Sequence, residues 1–236
     1  MDRRSVLRAT IATGTAATTA AVAGGAEAAP AGPPARALQV HILMYPGVEE
    51  MDFAAPVEVF GMARGLGGDI TTTLVTVDAS SPVTATHGTQ VEVTGRWSPQ
   101  NADLLVVPGG GCRRADTPGV AYEIQRGVLP AALRAARRRG LTIAGICTGT
   151  MLLSAAGLTT GRPCITHHRA VEDLRTQGAL VTDARVVDDG DLVTAGGVTS
   201  GLDLALWLVE RRLGAKLAVE VEQVLEYERR GTVWRA

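Results

Sequence analysis

Short, continuously apolar runs alternate along the chain with longer stretches of helical spacing. Leu38–Met44 and Ile70–Val77 are two such runs, and between them Phe53, Val57 and Phe60 recur at the interval of one helix face over Phe53–Arg64. Leu104-Leu105-Val106-Val107 is apolar at every position, as a strand buried on both faces requires, and it runs into Pro108-Gly109-Gly110-Gly111. A helix over Val128–Arg139 follows, and its Arg137-Arg138-Arg139 end is expected to complement the C-terminal dipole. Leu141–Ile146 is the next buried run and passes at once into a helix over Thr148–Ala156. Two alternating segments read as hairpins: Val83–Val93 around His87-Gly88, beside the main sheet, and Ala184–Val193 around Asp189-Gly190. Ser200-Gly201-Leu202-Asp203 has the spacing of a capping box and opens an apolar helix to Leu213. A last amphipathic helix carries Leu217, Val221, Val224 and Leu225 on one side. The alternation predicts an α/β fold: a doubly wound, mostly parallel sheet with helices on both faces and a small β-hairpin insertion.

Length and composition restrict this picture to one domain. At 236 residues, with 46% apolar and 20% charged residues, the chain accommodates a leader and one packed α/β domain, whereas two would be cramped. The start reads as a Tat-type export signal over residues 1–28. Arg3-Arg4 is followed by Val6-Leu7, an Ala/Thr-rich stretch to Ala23 and an A-x-A pattern at Ala26-Glu27-Ala28. Its apolar part is shorter than the roughly 20 residues a spanning helix needs, so no stable membrane anchor is expected after processing. The expected location is extracellular or periplasmic. Residues 29–37 then form a Pro-rich linker, 38–230 the domain and 231–236 a tail. A net charge of -1, with no helix-turn-helix after the domain, speaks against nucleic acid as a partner. No metal-ligand spacing is present and no cofactor is implied. Three cysteines, Cys112, Cys147 and Cys164, cannot all pair within one chain, and a free thiol in an oxidising compartment invites a chemical explanation.

Cys147 is the strongest candidate. In Gly145-Ile146-Cys147-Thr148-Gly149, small residues flank a cysteine between strand and helix, the cysteine counterpart of a nucleophile elbow. At a helix N-terminus, backbone N–H groups and the dipole are expected to favour thiolate. The alternative is a buried structural thiol. Gly109, Gly110 and Gly111 end a buried strand, where α/β sheets bind ligands, and with Thr148 their N–H groups are expected to cradle a developing negative charge. His167, twenty residues beyond the cysteine, is a candidate acid or base; it and His168 also read as surface residues at a helix start. Asp52 lies after the first strand, on the same edge, and reads either as a reactive carboxyl or as the N-cap of the next helix.

Taken in order, Gly47-Val48-Glu49-Glu50-Met51-Asp52, Val107-Pro108-Gly109-Gly110, Gly145-Ile146-Cys147-Thr148-Gly149, Thr166-His167 and Gly196–Asp203 resemble the PfpI-type superfamily, which includes the Parkinson's-associated protein DJ-one. The likeness spans about Leu38–Leu213 and implies a flavodoxin-like sheet. Cys-Thr-Gly at the elbow and aspartate at position 52 look most like its isocyanide hydratase branch, and the sensor domains of some AraC-type regulators share them. The resemblance implies Cys147 as nucleophile, Asp52 as its proton partner, His167 at the superfamily's histidine position, Gly110 and Thr148 as N–H donors, a small-molecule substrate and a homodimer. It also leaves open glyoxalase, deglycase, amidase or peptidase chemistry, and a non-catalytic ligand-binding or redox-sensing role in which Cys112 could bridge to Cys147.

Overall fold

The computed structural model describes residues 36–78 and 81–236; the leader expected over 1–28 and most of the linker lie outside the described residues. The first half of the chain forms β1 (Leu38–Leu43), α1 (Glu50–Gly65), β2 (Ile70–Thr76), β3 (Val83–Thr84), β4 (Gln90–Val91), β5 (Gly95–Arg96) and β6 (Leu104–Val107). Next come α2 (Val120–Arg126), α3 (Val128–Ala136), β7 (Thr142–Ile146), α4 (Gly149–Ala155), β8 (Pro163–Cys164), α5 (Val171–Thr176) and β9 (Leu180–Val181). The last part contributes β10 (Val186–Asp189), β11 (Leu192–Ala195), α6 (Ser200–Leu213), α7 (Ala215–Leu225) and β12 (Trp234–Arg235).

Eight strands form the main sheet in the order β12-β10-β11-β7-β6-β1-β2-β5. Every pairing in it is parallel except β10 with β11. Helices α1, α6 and α7 pack together as one layer, and α2, α3 and α4 as another. The chain winds from β1 outward to β2 and then returns to β6 on the other side, so the strand order reverses between β1 and β6. In such sheets the crevice beyond the strands' carboxyl ends at this reversal is where ligands bind. Register brings the relevant ends level, with Ile42 opposite Val106 and Val107 opposite Gly145. All four β6 residues and all five of β7 are buried, each large side chain being worth about 2 kcal/mol relative to exposure. That burial holds in place the glycine turn, which has no side chains of its own to pack, and the elbow, whose Ile146 and Cys147 join the core.

Several local expectations are corrected. Helix α1 starts at Glu50, and its N-cap is Glu49, whose carboxylate accepts the Asp52 N–H at 3.1 Å; Asp52 is therefore not the cap. On the same helix Phe53 and Phe60 are buried but Val57 is exposed, because the inward face runs through Pro56, Val59 and Ala63. Helix α3 stops at Ala136, and Arg138 reaches across to carbonyls of Pro99, Gln100 and Ala102 instead of complementing its own helix. Ser200 and Asp203 form no capping box: the α6 N-cap is Thr199, without a side-chain bond, while Asp203 is buried among Arg185, Tyr227 and the Arg230 N–H. Val224 faces outward on α7, whose buried residues are Ala218 and Val221. The segment expected as a tail adds β12 to the sheet edge, with Val187 opposite Trp234. The 83–93 hairpin forms beside the main sheet, with Val83 opposite Val91. No described helix is long and apolar enough to cross a membrane.

Candidate active site

Three loops meet at the reversal between β1 and β6. The chain leaving β1 is tied to the glycine turn by the Glu49 N–H on the Gly109 carbonyl, 2.9 Å, and by a bridge between Val48 and Gly110. A Cβ at Gly110 would lie 2.3 Å from the Gly47 oxygen, so this crossing admits only glycine. Leaving β7, the chain turns at Cys147, which has φ of 55°, a conformation L-residues adopt only under constraint. Two carbonyls at the end of β11 provide that constraint, Ala195 and Gly196 accepting the Cys147 N–H at 3.1 and 2.9 Å. Gly149 allows the helix to start there, since a Cβ would sit 2.0 Å from the Val107 carbonyl. The elbow expected from the glycine spacing is thus present.

Cys147 and Asp52 are neighbours in this crossing. Asp52 is fully buried; Oδ2 accepts the Gly109 N–H at 2.8 Å, while Oδ1 has no fully formed hydrogen bond among the described residues. Burial, reinforced by the Glu49 charge, pushes the Asp52 carboxyl up to about 8, against the opposing Gly109 N–H. At neutral pH it holds a proton, and since Oδ2 is already an acceptor, the proton belongs on Oδ1. The adjacent Cys147 thiol gives the charged form only slight hydrogen-bonding support. Cys147 itself is pushed up to about 12, first by burial and then by Asp52, although the Val198 and Thr148 N–H groups favour the thiolate. The expected thiolate is therefore corrected. Burial of the sulfur is the larger cause, and it outweighs the short helix that follows.

The glycine N–H groups are also committed differently from expectation. Gly109 serves Asp52, and Gly110 donates to the Thr148 hydroxyl at 2.9 Å, which in turn donates to the Gly110 carbonyl at 2.8 Å. Buried donors must be paired, so neither stands open for an incoming charge. The Thr148 N–H, with that of Val198, points at the sulfur. Gly111 lines the cavity and accepts the Ala121 N–H. His167 lines the same cavity, but Nδ1 accepts the Arg169 N–H at 3.1 Å, which places the neutral ring's proton on Nε2. Burial, then His168 and Arg169, lowers its affinity for a second proton. Its ring leans on Gly197, where a Cβ would lie 2.5 Å from Cδ2.

The structure adds residues that local pattern did not assign. The buried Tyr45 hydroxyl donates to the Pro108 carbonyl at 2.8 Å, anchoring the glycine turn. Thr166 donates to the Cys147 carbonyl at 2.8 Å, and Val198, with φ of 40°, shares the constrained backbone. Thr166 lay beside His167 in sequence, the one signal available for it. A cavity of about 370 Å³ opens above the thiol, with Cys112 on its wall. All three cysteines are free. A larger groove of about 1080 Å³ beside α7 holds neither the cysteines nor the histidines.

Comparison with known proteins places this geometry in a family. The profile of the DJ-1/PfpI family matches residues 38–211. The chain belongs to the DJ-1/PfpI family. It is 33% identical to an isonitrile hydratase of Pseudomonas putida over 81% of this chain and 79% of the relative. It is 32% identical to the HTH-type transcriptional regulator CdhR of Pseudomonas aeruginosa over 77% of this chain, but spans only 52% of that regulator. Among solved structures, a ThiJ/PfpI family protein from Pseudomonas syringae has a TM-score of 0.72 at 28% identity, covering 83% of this chain and 77% of that one. The flavodoxin-like α/β fold expected of a DJ-1/PfpI chain is the fold observed.

Proposed function

We propose that the protein is a cysteine-dependent hydratase of the isonitrile (isocyanide) type, acting on a small carbon electrophile. The observation that carries this reading is a fully buried Asp52 carboxyl, held toward its protonated form by that burial, beside the Cys147 thiol. An isocyanide carbon needs both a proton and a nucleophile, and this pair offers both. In the first step Asp52 donates its proton to the isocyanide carbon, sulfur bonds to that carbon, and Asp52 recovers the thiol proton, leaving a thioimidate on Cys147. In the second, water adds to the same carbon, the carbon–sulfur bond breaks, sulfur and nitrogen each end protonated, and an N-substituted formamide leaves. Thr166 and the Ala195 and Gly196 carbonyls hold the elbow still throughout. His167, whose Nδ1 is taken by the Arg169 N–H, is a wall of the site in this scheme. The 33% identity to an isonitrile hydratase supports the same reading.

The test is formamide production from alkyl and aryl isocyanides by the purified protein, with Cys147→Ala alongside; equal turnover by both rules the mechanism out. The similarity to a transcriptional regulator favours a second reading, ligand binding without turnover. Saturable isocyanide binding with no product would select it. Export through the twin-arginine leader and assembly as a homodimer complete the proposal, tested by fractionation of cells making the full chain and by sedimentation.

A further inference from the structure

The cavity above Cys147 is lopsided in charge. Arg113 and Arg114 reach it from the loop after β6 and Arg169 from the turn after His167, while Glu49 is the sole carboxylate on its wall among the described residues. Glu49 Oε2 is engaged by the Asp52 N–H. Arg114 is neutralised by Asp116 through two bonds of 3.0 and 2.7 Å. Arg113 and Arg169 have no side-chain hydrogen bond or ion pair among the described residues. They come from loops more than fifty positions apart, yet both act on the thiol of Cys112, on the wall of this cavity, where Asp173 is the opposing acid. Both arginines are exposed, but their side chains, without ionic partners among the described residues, line the same small concave site. Each presents a planar fork of donors suited to a carboxylate.

We propose that the substrate is anionic: a small electrophile bearing a carboxylate, which Arg113 and Arg169 hold while its reactive carbon lies on Cys147. A volume of about 370 Å³ suits a carboxylate and a few further heavy atoms, and is too small for a folded polypeptide segment. The identity of the electrophile rests on the hydratase reading; the anion site does not.

Iodoacetate and iodoacetamide separate the two. Each alkylates a thiol by forming a sulfur–carbon bond and expelling iodide as the thiol proton is lost, and they differ in carboxylate against amide. The readout is the ratio of the two rates at the Cys147 peptide, by mass spectrometry, because any loss of thiol reactivity lowers both rates together. The expected result is a ratio about tenfold lower in the Arg113→Gln, Arg169→Gln double variant than in the wild type, with Arg64→Gln, on the far end of α1, matching the wild type. The single variants carry the same readout if the double variant does not fold. A ratio equal in all proteins overturns the proposal. In parallel, isocyanoacetate and its methyl ester are compared as substrates, with preference for the carboxylate expected in the wild type and lost in the double variant. Equal turnover of both with an unmoved alkylation ratio sinks the anion site and leaves the hydratase reading standing. No turnover of either with an arginine-dependent ratio does the reverse.

Discussion

Two regions of the domain bury aspartates and treat them in opposite ways. Between the sheet edge and α6, Asp203 meets Arg185, the Tyr227 hydroxyl and the Arg230 N–H, and Asp188 meets Trp207, Arg211 and the Gly190 N–H. At the carboxyl ends of β1 and β6, Asp52 receives one N–H and faces a thiol. A carboxylate offers about four acceptor sites, and burial without partners for them penalises the charge. The first region is consequently scaffold, with charge neutralised in place. The second keeps a proton in reserve at neutral pH. Backbone strain follows the same division: Cys147 and Val198 hold positive φ at the site, whereas the third non-glycine case among the described residues, Glu226, is a left-handed helix cap.

The largest expected effect falls on the thiol. Cys147→Ala should lower isocyanide turnover by at least roughly 10³-fold with the fold retained, and residual turnover within tenfold of wild type would end the distinction between the regions. Exchanging the aspartates sharpens it. Asp52→Asn should lower kcat by about 10²–10⁴-fold without loss of stability, whereas Asp203→Asn should cost about 1–3 kcal/mol in denaturant unfolding and leave kcat per folded molecule unchanged. If Asp52→Asn proves the more destabilising of the two, Asp52 belongs with the scaffold.

The proton on Asp52 gives the comparison a pH signature. Its carboxyl titrates near 8 when folded against 3.8 in an open chain, so folding tightens proton binding. The associated stability is complete below 3.8 and is lost as pH rises through about 8. Turnover should accordingly fall about tenfold per pH unit above 8 as the donor is lost. Asp52→Asn should flatten its contribution to the stability profile, while Asp203→Asn should leave it in place; urea titrations across this range decide. The smallest effect is assigned to His167→Ala, a loss in kcat under about tenfold, because its Nδ1 is occupied by the Arg169 N–H. A loss as large as that of Asp52→Asn would move the proton chemistry to the histidine.

Much of this was legible locally. Apolar runs such as Leu104–Val107, the glycines after them and the Gly145–Gly149 spacing determined by themselves an α/β sheet with a cysteine elbow, because burial on both faces and sharp turns restrict residue choice at the position concerned. Helix ends were less legible, since Glu49 and Thr199 took caps that Asp52 and Ser200 suited equally well in sequence. The Tyr45 anchor, the β12 strand and the placing of Arg113 and Arg169 on one cavity wall had no local signature at all. Whether Asp52 capped its helix or turned to Gly109, 57 positions away, was decided only when β1 and β6 came side by side. Secondary structure follows from hydrogen bonding and burial between near neighbours in the chain. A proton's resting place follows from charges and donors brought together through space, and for Cys147 and Asp52 those came only with the tertiary fold.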